Sequence, residues 1–339
     1  MTIQPLIPIL VTGGAGYVGS HACKALAGRG YRPIVYDNLT FGHENLVKWG
    51  PLEVGDLVDR DALDAVFDQH VPQAVMHFAA FTYVGESVAN PGKYYRNNVA
   101  GTLCLLEAMR DHGVDQLVFS STAAVYGTPV STPIPEDAAK APINPYGSSK
   151  WNAECMIADF ARAHGLRSTA LRYFNASGAD PDGEIGELHD PESHLIPLAM
   201  QAVTGEAPPL TIFGDDYPTA DGTCIRDYVH VSDLAEAHVL ALERLSTREG
   251  ADAFNLGTGR GASIREVLDA VAKTSGKPVP YSIGSRRAGD PAELVSDPTR
   301  AGQFLNWTPE FSSLETIVAT AWTWHIRNAK RCQTRASAI

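Results

Sequence analysis

The chain has 339 residues, 44% of them hydrophobic, enough for one large domain with an appendage or for two domains. A net charge of -12 with no basic block argues against a sequence-independent nucleic-acid footprint, and no apolar run approaches the ~20 residues of a membrane span. Five scattered cysteines (Cys23, Cys104, Cys155, Cys224 and Cys332) include no Cys-x-x-Cys pair and read as reduced packing residues of a cytoplasmic protein, with no disulfide framework and no metal site expected.

Met1 to Leu10 lacks a positive n-region, and its apolar residues run straight into a glycine motif, which makes it a first strand rather than a signal peptide. Ile7 to Thr12 is a compact apolar run followed at once by Gly13-Gly14-Ala15-Gly16-Tyr17-Val18-Gly19, after which Val18, Ala22, Ala25 and Leu26 mark a helix. Strand, glycine turn and helix in this order form the setting of a dinucleotide fingerprint. Gly13 makes the tight turn, Gly16 lets the backbone approach a pyrophosphate, and Gly19 lets the helix pack on the sheet, with the helix N-terminus facing the phosphate charge. A second strand, Pro33 to Tyr36, ends at Asp37-Asn38. Asp37 lies 21 residues after Gly16, where an acid would accept hydrogen bonds from ribose hydroxyls and repel a 2′-phosphate, so the cofactor expected is NAD rather than NADP.

Leu52 to Val54 is a short strand leading to Gly55-Asp56-Leu57, placed to meet the adenine. Ala74 to Phe78 is a fourth strand ending in the small pair Ala79-Ala80, and Asn97-Asn98 are expected to open a helix reaching about His112. Leu117 to Phe119 is a fifth strand, followed by Ser120-Ser121-Thr122 and a Pro-rich loop from Thr128 to Pro145. Strands alternating with helices over about 175 residues predict an α/β fold with a Rossmann-like doubly wound parallel sheet, whose ligands lie outside the carboxyl ends of the strands. After Asn175 the composition shifts toward Pro, Gly and Asp. The expected division is therefore a large domain over 1–176 and a smaller α/β domain over 177–339, with a segment near 226–237 returning to the first.

The chemistry centres on Tyr146-Gly147-Ser148-Ser149-Lys150. On a helix, Tyr146 and Lys150 stand one turn apart and share a face, so the ammonium could favour the phenolate. Bringing a phenol from its usual ~10 to neutrality takes about 4 kcal/mol of preferential stabilisation of the anion. Thr122, at the end of the fifth strand, is expected beside Tyr146.

Taken with His77-Phe78-Ala79-Ala80, Leu171-Arg172-Tyr173-Phe174-Asn175, Ile212-Phe213-Gly214-Asp215-Asp216-Tyr217, Arg226-Asp227-Tyr228-Val229-His230 and Arg287-Ala288-Gly289-Asp290, the chain resembles the extended short-chain dehydrogenases/reductases and, among them, the UDP-glucose (UDP-galactose) 4-epimerases. The resemblance implies NAD-dependent inversion at C4 of a UDP-hexose through a transient 4-keto sugar, with Tyr146, Lys150 and Thr122 as catalytic residues. Carried over by position, it implies NAD contacts from Gly13, Gly16, Tyr17, Val18, Gly19, Asp37, Asn38, Asp56, Leu57, Phe78, Ala79, Ala80, Asn97, Tyr146, Lys150 and Tyr173. It implies UDP-sugar contacts from Thr122, Asn175, His194, Leu195, Phe213, Arg226, Ile264, Arg287, Asp290 and Leu294. Two arginines clamping a diphosphate and an aspartate accepting from ribose hydroxyls agree with that assignment. It also implies a homodimer paired through helices near 97–112 and 146–164, which carry Leu103, Leu106, Met109, Met156, Ile157 and Phe160.

Three positions depart from the family pattern: Thr82 where a lysine is common, His194 where an asparagine is common, and Leu294 where a tyrosine or a small residue resembles a gatekeeper for the sugar. They bear on substrate choice, so a UDP-pentose such as UDP-xylose or UDP-arabinose, or an N-acetylated UDP-hexose, stands as an alternative substrate. Dehydratases of similar sequence carry Asp-Glu after the threonine; here Ala123-Ala124 cannot transfer protons. A non-catalytic NAD-binding regulator, the reading from a different class, has no need of Thr122, Tyr146 and Lys150 together.

Overall fold

The computed structural model describes residues 6–287 and 290–336, with side chains as far as Asn328. Met1–Pro5, Ala288, Gly289 and the Cys332 side chain lie outside it.

Seven parallel strands make the large sheet: β1 (Ile7–Thr12), β2 (Tyr31–Asp37), β3 (Leu52–Val54), β4 (Ala74–His77), β5 (Gln116–Thr122), β6 (Arg167–Tyr173) and a last strand, Ala251–Leu256. From one edge the order is Ala251–Leu256, β6, β5, β4, β1, β2, β3. The order reverses between β4 and β1, and in open parallel sheets that reversal opens a crevice at the strands' carboxyl ends. Alternate residues feed two apolar layers, as the period-2 geometry of a strand demands. Ile9, Val11, Val35, Met76, Val118, Leu171 and Phe254 face one layer, which includes Ala22 and Leu26 of α1 (Tyr17–Gly28) and much of the helix Val231–Leu245. Leu10, Ile34, Tyr36, Val75, Leu117, Phe119 and Ala170 face the other, with Leu63 and Phe67, Leu105 to Met109, and Ala153 and Ile157.

A third core lies off this sheet. Ile196 and Met200 of the helix Leu195–Thr204, Val267, Leu268 and Val271 of Ile264–Ser275, and Ile317 and Val318 of Leu314–Ala336 close around Ile212. Short strands flank it: Leu210–Phe213 pairs with Tyr281–Gly284, and Ile225–Arg226 lies between Ala262–Ser263 and Glu293–Leu294.

Two expectations are corrected. Asn97 and Asn98 do not open a helix; the helical run begins at Pro91, where Asn90 caps it, and Tyr95–Ala100 is a π-helical turn leading into Gly101–Asp111. The buried Asn98 side chain bonds away from the run, accepting from Phe81 N at 2.9 Å and donating to Ser149 Oγ at 3.0 Å. A side-chain tether of this kind at a π-turn holds a local departure from α geometry. The return to the large sheet is also longer than the segment 226–237: Val231–Leu245 packs on α1, and Ala251–Leu256 adds the edge strand beside β6. A single cut at 176/177 would strip the large sheet of a strand and a covering helix.

Candidate active site

Six of the residues singled out by sequence stand at the carboxyl edge of the large sheet. Gly13 follows β1, Asp37 ends β2, Asp56 follows β3, Phe78 follows β4, Thr122 ends β5 and Tyr173 ends β6. Gly13 has φ +74°, and a Cβ there would meet Ala79 N at 2.5 Å, so β1 and β4 approach too closely for any side chain. A Cβ on Gly19 would meet Gly13 O at 2.2 Å. Gly16 stands at the N-cap of α1, and no side chain caps that end. The result is a bare cradle of backbone ending in uncapped helix N–H groups, a fit for a pyrophosphate.

Beside the cradle, the Asp37 carboxylate accepts from Ala15 N at 3.1 Å and Leu39 N at 2.9 Å. Burial raises its pKa, and those two backbone donors oppose the rise. Asn38 donates to Asp56 at 3.0 Å, and Leu57 packs beneath Gly101. These groups suit a nucleoside lying across β2 and β3. Asn97, the other expected cofactor contact in this half, donates to Asn98 at 2.9 Å. The more enclosed member of the pair is Asn98, which the sequence reading passed over.

Tyr146 enters at the start of the helix Pro145–His164, which Asn144 caps by accepting from Gly147 N at 2.9 Å. Proline at the first helical position and asparagine before it give a defined start, so the phenol's place is fixed by local sequence. The Tyr146 phenol is enclosed; burial raises its pKa, and a polar contact with the Thr122 hydroxyl pulls the other way. Thr122 also accepts from Ala124 N at 3.1 Å, which holds its side chain at the strand end.

Lys150 lies one turn further on, as expected, but its ammonium is anchored elsewhere than on the phenol. Nζ donates to the Ser120 carbonyl at 2.9 Å and stands 4.8 Å from the centre of the Phe119 ring. Burial lowers its pKa to about 7, against the field of Glu154, which raises it. Desolvation acts on both groups against their charged forms, so the phenolate needs the cationic cofactor's help beside the lysine's, as expected of the pair. Tyr173 OH and Ser120 Oγ are 2.6 Å apart, so Ser120 engages both Tyr173 and, through its carbonyl, Lys150. Below it, the buried Glu154 carboxylate is forked by Arg172, with Nε to Oε1 at 3.0 Å, and Arg172 Nη1 donates to Tyr126 OH at 2.9 Å.

Six of the expected UDP contacts lie together around the short strand Ile225–Arg226. The Arg226 guanidinium pairs with Asp290, and the Arg287 guanidinium stacks 4.0 Å from the centre of the Phe213 ring. Leu294 pairs in register with Arg226, and Ile264 begins the helix that follows the Ala262–Ser263 strand. Leu294 also packs against the cluster of Val125, Tyr126 and Ile134, so it bridges this group to the segment after Thr122. Asn175 donates from both its backbone and its side-chain nitrogen to Asp227 O, each at 3.0 Å. Asp227, absent from the expected set, is fully buried and accepts from Thr258 N at 2.9 Å and Ser296 N at 3.1 Å, fixing three loops around Arg226.

Leu195 begins the helix Leu195–Thr204. His194 Nδ1 lies 2.8 Å from Glu187 and 2.9 Å from Glu192, so one side of the ring is held by two carboxylates while the side chain stays 45% exposed. The spacing Glu-x-His-x-x-Glu-x-His, visible in the sequence, was the signal for that grouping.

Comparison with known proteins accords with this arrangement. The pattern of the NAD dependent epimerase/dehydratase family matches residues 9–257. A UDP-glucose 4-epimerase of Rhizobium meliloti (strain 1021) is 52% identical over 319 residues, which is 94% of this chain and 97% of the relative. The crystal structure of UDP-glucose 4-epimerase from Brucella ovis in complex with NAD superposes with a TM-score of 0.92 at 54% identity, covering 94% of this chain and 98% of that one. A UDP-glucose-4-epimerase from Stenotrophomonas maltophila, solved with bound NAD and formylated UDP-arabinopyranose, gives a TM-score of 0.93 at 40% identity, covering 96% and 99%. The chain belongs to the NAD dependent epimerase/dehydratase family.

Proposed function

We propose that the protein is an NAD-dependent isomerase that inverts C4 of a UDP-hexose, interconverting UDP-glucose and UDP-galactose through a transient 4-keto sugar. The observation that carries this reading is the meeting of Thr122, Tyr146 and Lys150 at the carboxyl edge of a sheet whose first turn is a bare phosphate cradle, in a chain about half identical to UDP-glucose 4-epimerases.

Tyr146 takes the proton of the 4-hydroxyl and returns it after inversion, with Thr122 hydrogen-bonded to the same oxygen. The protein's own groups leave the phenol raised and the lysine lowered. The phenolate form thus depends on positive charge brought into the site. Bound NAD supplies that charge and reversible two-electron chemistry at C4, and it leaves each cycle unchanged. Gly13, Gly16 and the N–H groups of Tyr17, Val18 and Gly19 would hold its pyrophosphate, Asp37 and Asn38 its adenosine ribose, Asp56 and Leu57 its adenine, and Phe78, Ala79, Ala80 and Tyr173 its other half.

Arg226 and Arg287 clamp the diphosphate and Asp290 accepts from the uridine ribose, with Asn175, Leu195, Phe213 and Ile264 at the edges. An anchored UDP lets the keto-sugar turn and present its opposite face. The whole cycle needs a wide sugar pocket, and Leu294 limits it less than a tyrosine would.

A UDP-pentose is the second reading, favoured by Leu294 and by the relative solved with formylated UDP-arabinopyranose. Pairing of two chains through Gly101–Asp111 and Pro145–His164 draws support from the exposed Leu103 and Cys155, since Leu106, Met109 and Ile157 are spent in the chain's own core. Among the described residues no helix is long and apolar enough to cross a membrane. Cys23, Cys104, Cys155 and Cys224 are free, in keeping with a reducing, cytoplasmic setting.

Purified protein given UDP-galactose with no added NAD should yield UDP-glucose, resolved by nuclear magnetic resonance. Turnover of UDP-arabinose alone would move the assignment to the pentose reading, and inertness toward every UDP-sugar would overturn it.

A further inference from the structure

The segment leading into the helix Leu195–Thr204 carries two acids and two imidazoles at the spacing Glu187-x-His189-x-x-Glu192-x-His194. They converge. His189 Nδ1 and His194 Nδ1 lie 2.9 Å and 2.8 Å from the same oxygen, Oε1 of Glu187, and His194 Nδ1 is 2.9 Å from Glu192 Oε1. One ligand-type atom from each of the four residues lies within 4.8 Å of the other three. We propose that Glu187, His189, Glu192 and His194 form a site for one divalent transition-metal ion, with zinc the ion that this donor set suits best.

Four imidazole and carboxylate donors are the ligands that zinc takes in tetrahedral coordination. With metal–ligand bonds of about 2.0–2.2 Å, a tetrahedron has edges of about 3.3–3.6 Å; the donor separations here run from 2.8 Å to no more than 4.8 Å and straddle that length. The alternative is a hydrogen-bonded ion cluster. What points to an ion is convergence: both ring nitrogens meet Oε1 of Glu187, and His194 Nδ1 also meets Oε1 of Glu192. Glu187 and Glu192 are both buried at the side chain, at 8% and 7% exposure, and among the described residues no lysine or arginine pairs with either. The nearby trio Asp180, Asp182 and Glu184 shows the contrast: the Lys24 ammonium contacts all three, at 2.8, 2.7 and 2.8 Å, and takes the cation's place.

The cluster is also built from outside. Trp324 Nε1 donates to Glu187 O at 2.9 Å, Tyr83 OH to Pro191 O at 2.9 Å, and His43 Nε2 meets Leu188 O at 3.1 Å. Three side chains from distant parts of the chain thus fix the backbone on which the ligands stand, the outer support a metal site requires. A cavity of about 380 Å³ reaches Glu187, His189 and Glu192 and gives an ion its way in. The ion would brace the segment between Gly178, which accepts from Tyr17 OH of α1 at 2.6 Å, and the substrate-side helix at Leu195.

The test uses the full chain, free of any affinity tag, stripped with a chelator and dialysed against zinc chloride. Mass spectrometry of the metal should give about one zinc per chain in the wild type and below ~0.1 in His189→Ala and Glu192→Gln. Zinc should raise the wild-type Tm by on the order of 5 °C at saturating excess and leave both variants where they were. Should a variant not fold, anomalous diffraction at the zinc edge from wild-type crystals decides instead, with a peak expected among these four side chains. A wild type that keeps no stoichiometric zinc, variants that bind as it does, or a peak elsewhere would overturn the proposal.

Discussion

Lys150 Nζ donates to the Ser120 carbonyl at 2.9 Å, so the one ammonium buried at the site is moored to the strand that ends in Thr122 and not to the Tyr146 phenol. The mooring sets the lysine's position, while burial sets its charge. Its pKa of about 7 lies below the ordinary value of 10.5. Between those values the unfolded chain holds a proton that the folded chain does not, so this group makes stability rise with pH through that window. Below about pH 7 the folded state bears the full cost of the buried ammonium. Lys150→Met removes the dependence. Urea midpoints measured between about pH 7 and pH 10 should climb more steeply for the wild type than for the variant, and equal slopes would contradict the assignment.

Tyr146→Phe deletes only the phenolic oxygen. Turnover should fall by about 10²–10⁴-fold or more, the range that a positioned proton-transfer group supplies, while UDP affinity measured by calorimetry stays the same. Parallel loss of binding would mean that the ring, and not its oxygen, is what the site uses.

Gly19→Ala places a Cβ 2.2 Å from Gly13 O, a backbone atom that cannot rotate away. The glycine turn must shift, and with it the uncapped end of α1. The variant should purify without the absorbance of a bound nicotinamide and should need added NAD for any activity. Retention of cofactor at the wild-type level would show that the cradle does not depend on this approach.

Arg287→Ala should raise KM for the UDP-sugar by about 10–100-fold with a smaller change in kcat, since a charge-assisted hydrogen bond is worth about 1.5–3 kcal/mol. Arg226→Ala should do more, because Asp290 is left facing the ligand's phosphates without its partner. Steady-state kinetics separate the two effects, and an unchanged KM would remove Arg287 from the clamp.

Glu154→Ala leaves the Arg172 guanidinium buried without a carboxylate, a loss of about 3–5 kcal/mol in urea unfolding. A loss under about 1 kcal/mol would mean that water or Glu136 O takes over the pairing.

Local chemistry that the sequence states outright proved readable. β1 ends where the glycine turn begins, β3 runs over Leu52–Val54 as expected, and Asn144-Pro145 starts the helix that presents Tyr146. What escaped depends on partners distant in the chain. Asn98 could not be ranked above Asn97 without knowing that Ser149 and Phe81 come to it. Ala251–Leu256 is a strand because β6 lies beside it, not because its six residues alternate. Arg226 and Asp290 were expected as separate ligand contacts, and their pairing across 64 positions follows from three short strands that no local pattern announces. His194 was read by its place in a motif, whereas its two acidic neighbours decide where the ring points.

The central claim is that C4 is oxidised and then reduced within one site, by a cofactor that does not leave. UDP-galactose carrying deuterium at C4, incubated in ordinary water, tests it directly. The account predicts UDP-glucose with the deuterium kept at C4 and no label in solvent. Product with ordinary hydrogen at C4 would contradict it, because inversion would then have passed through a proton exchanged with water.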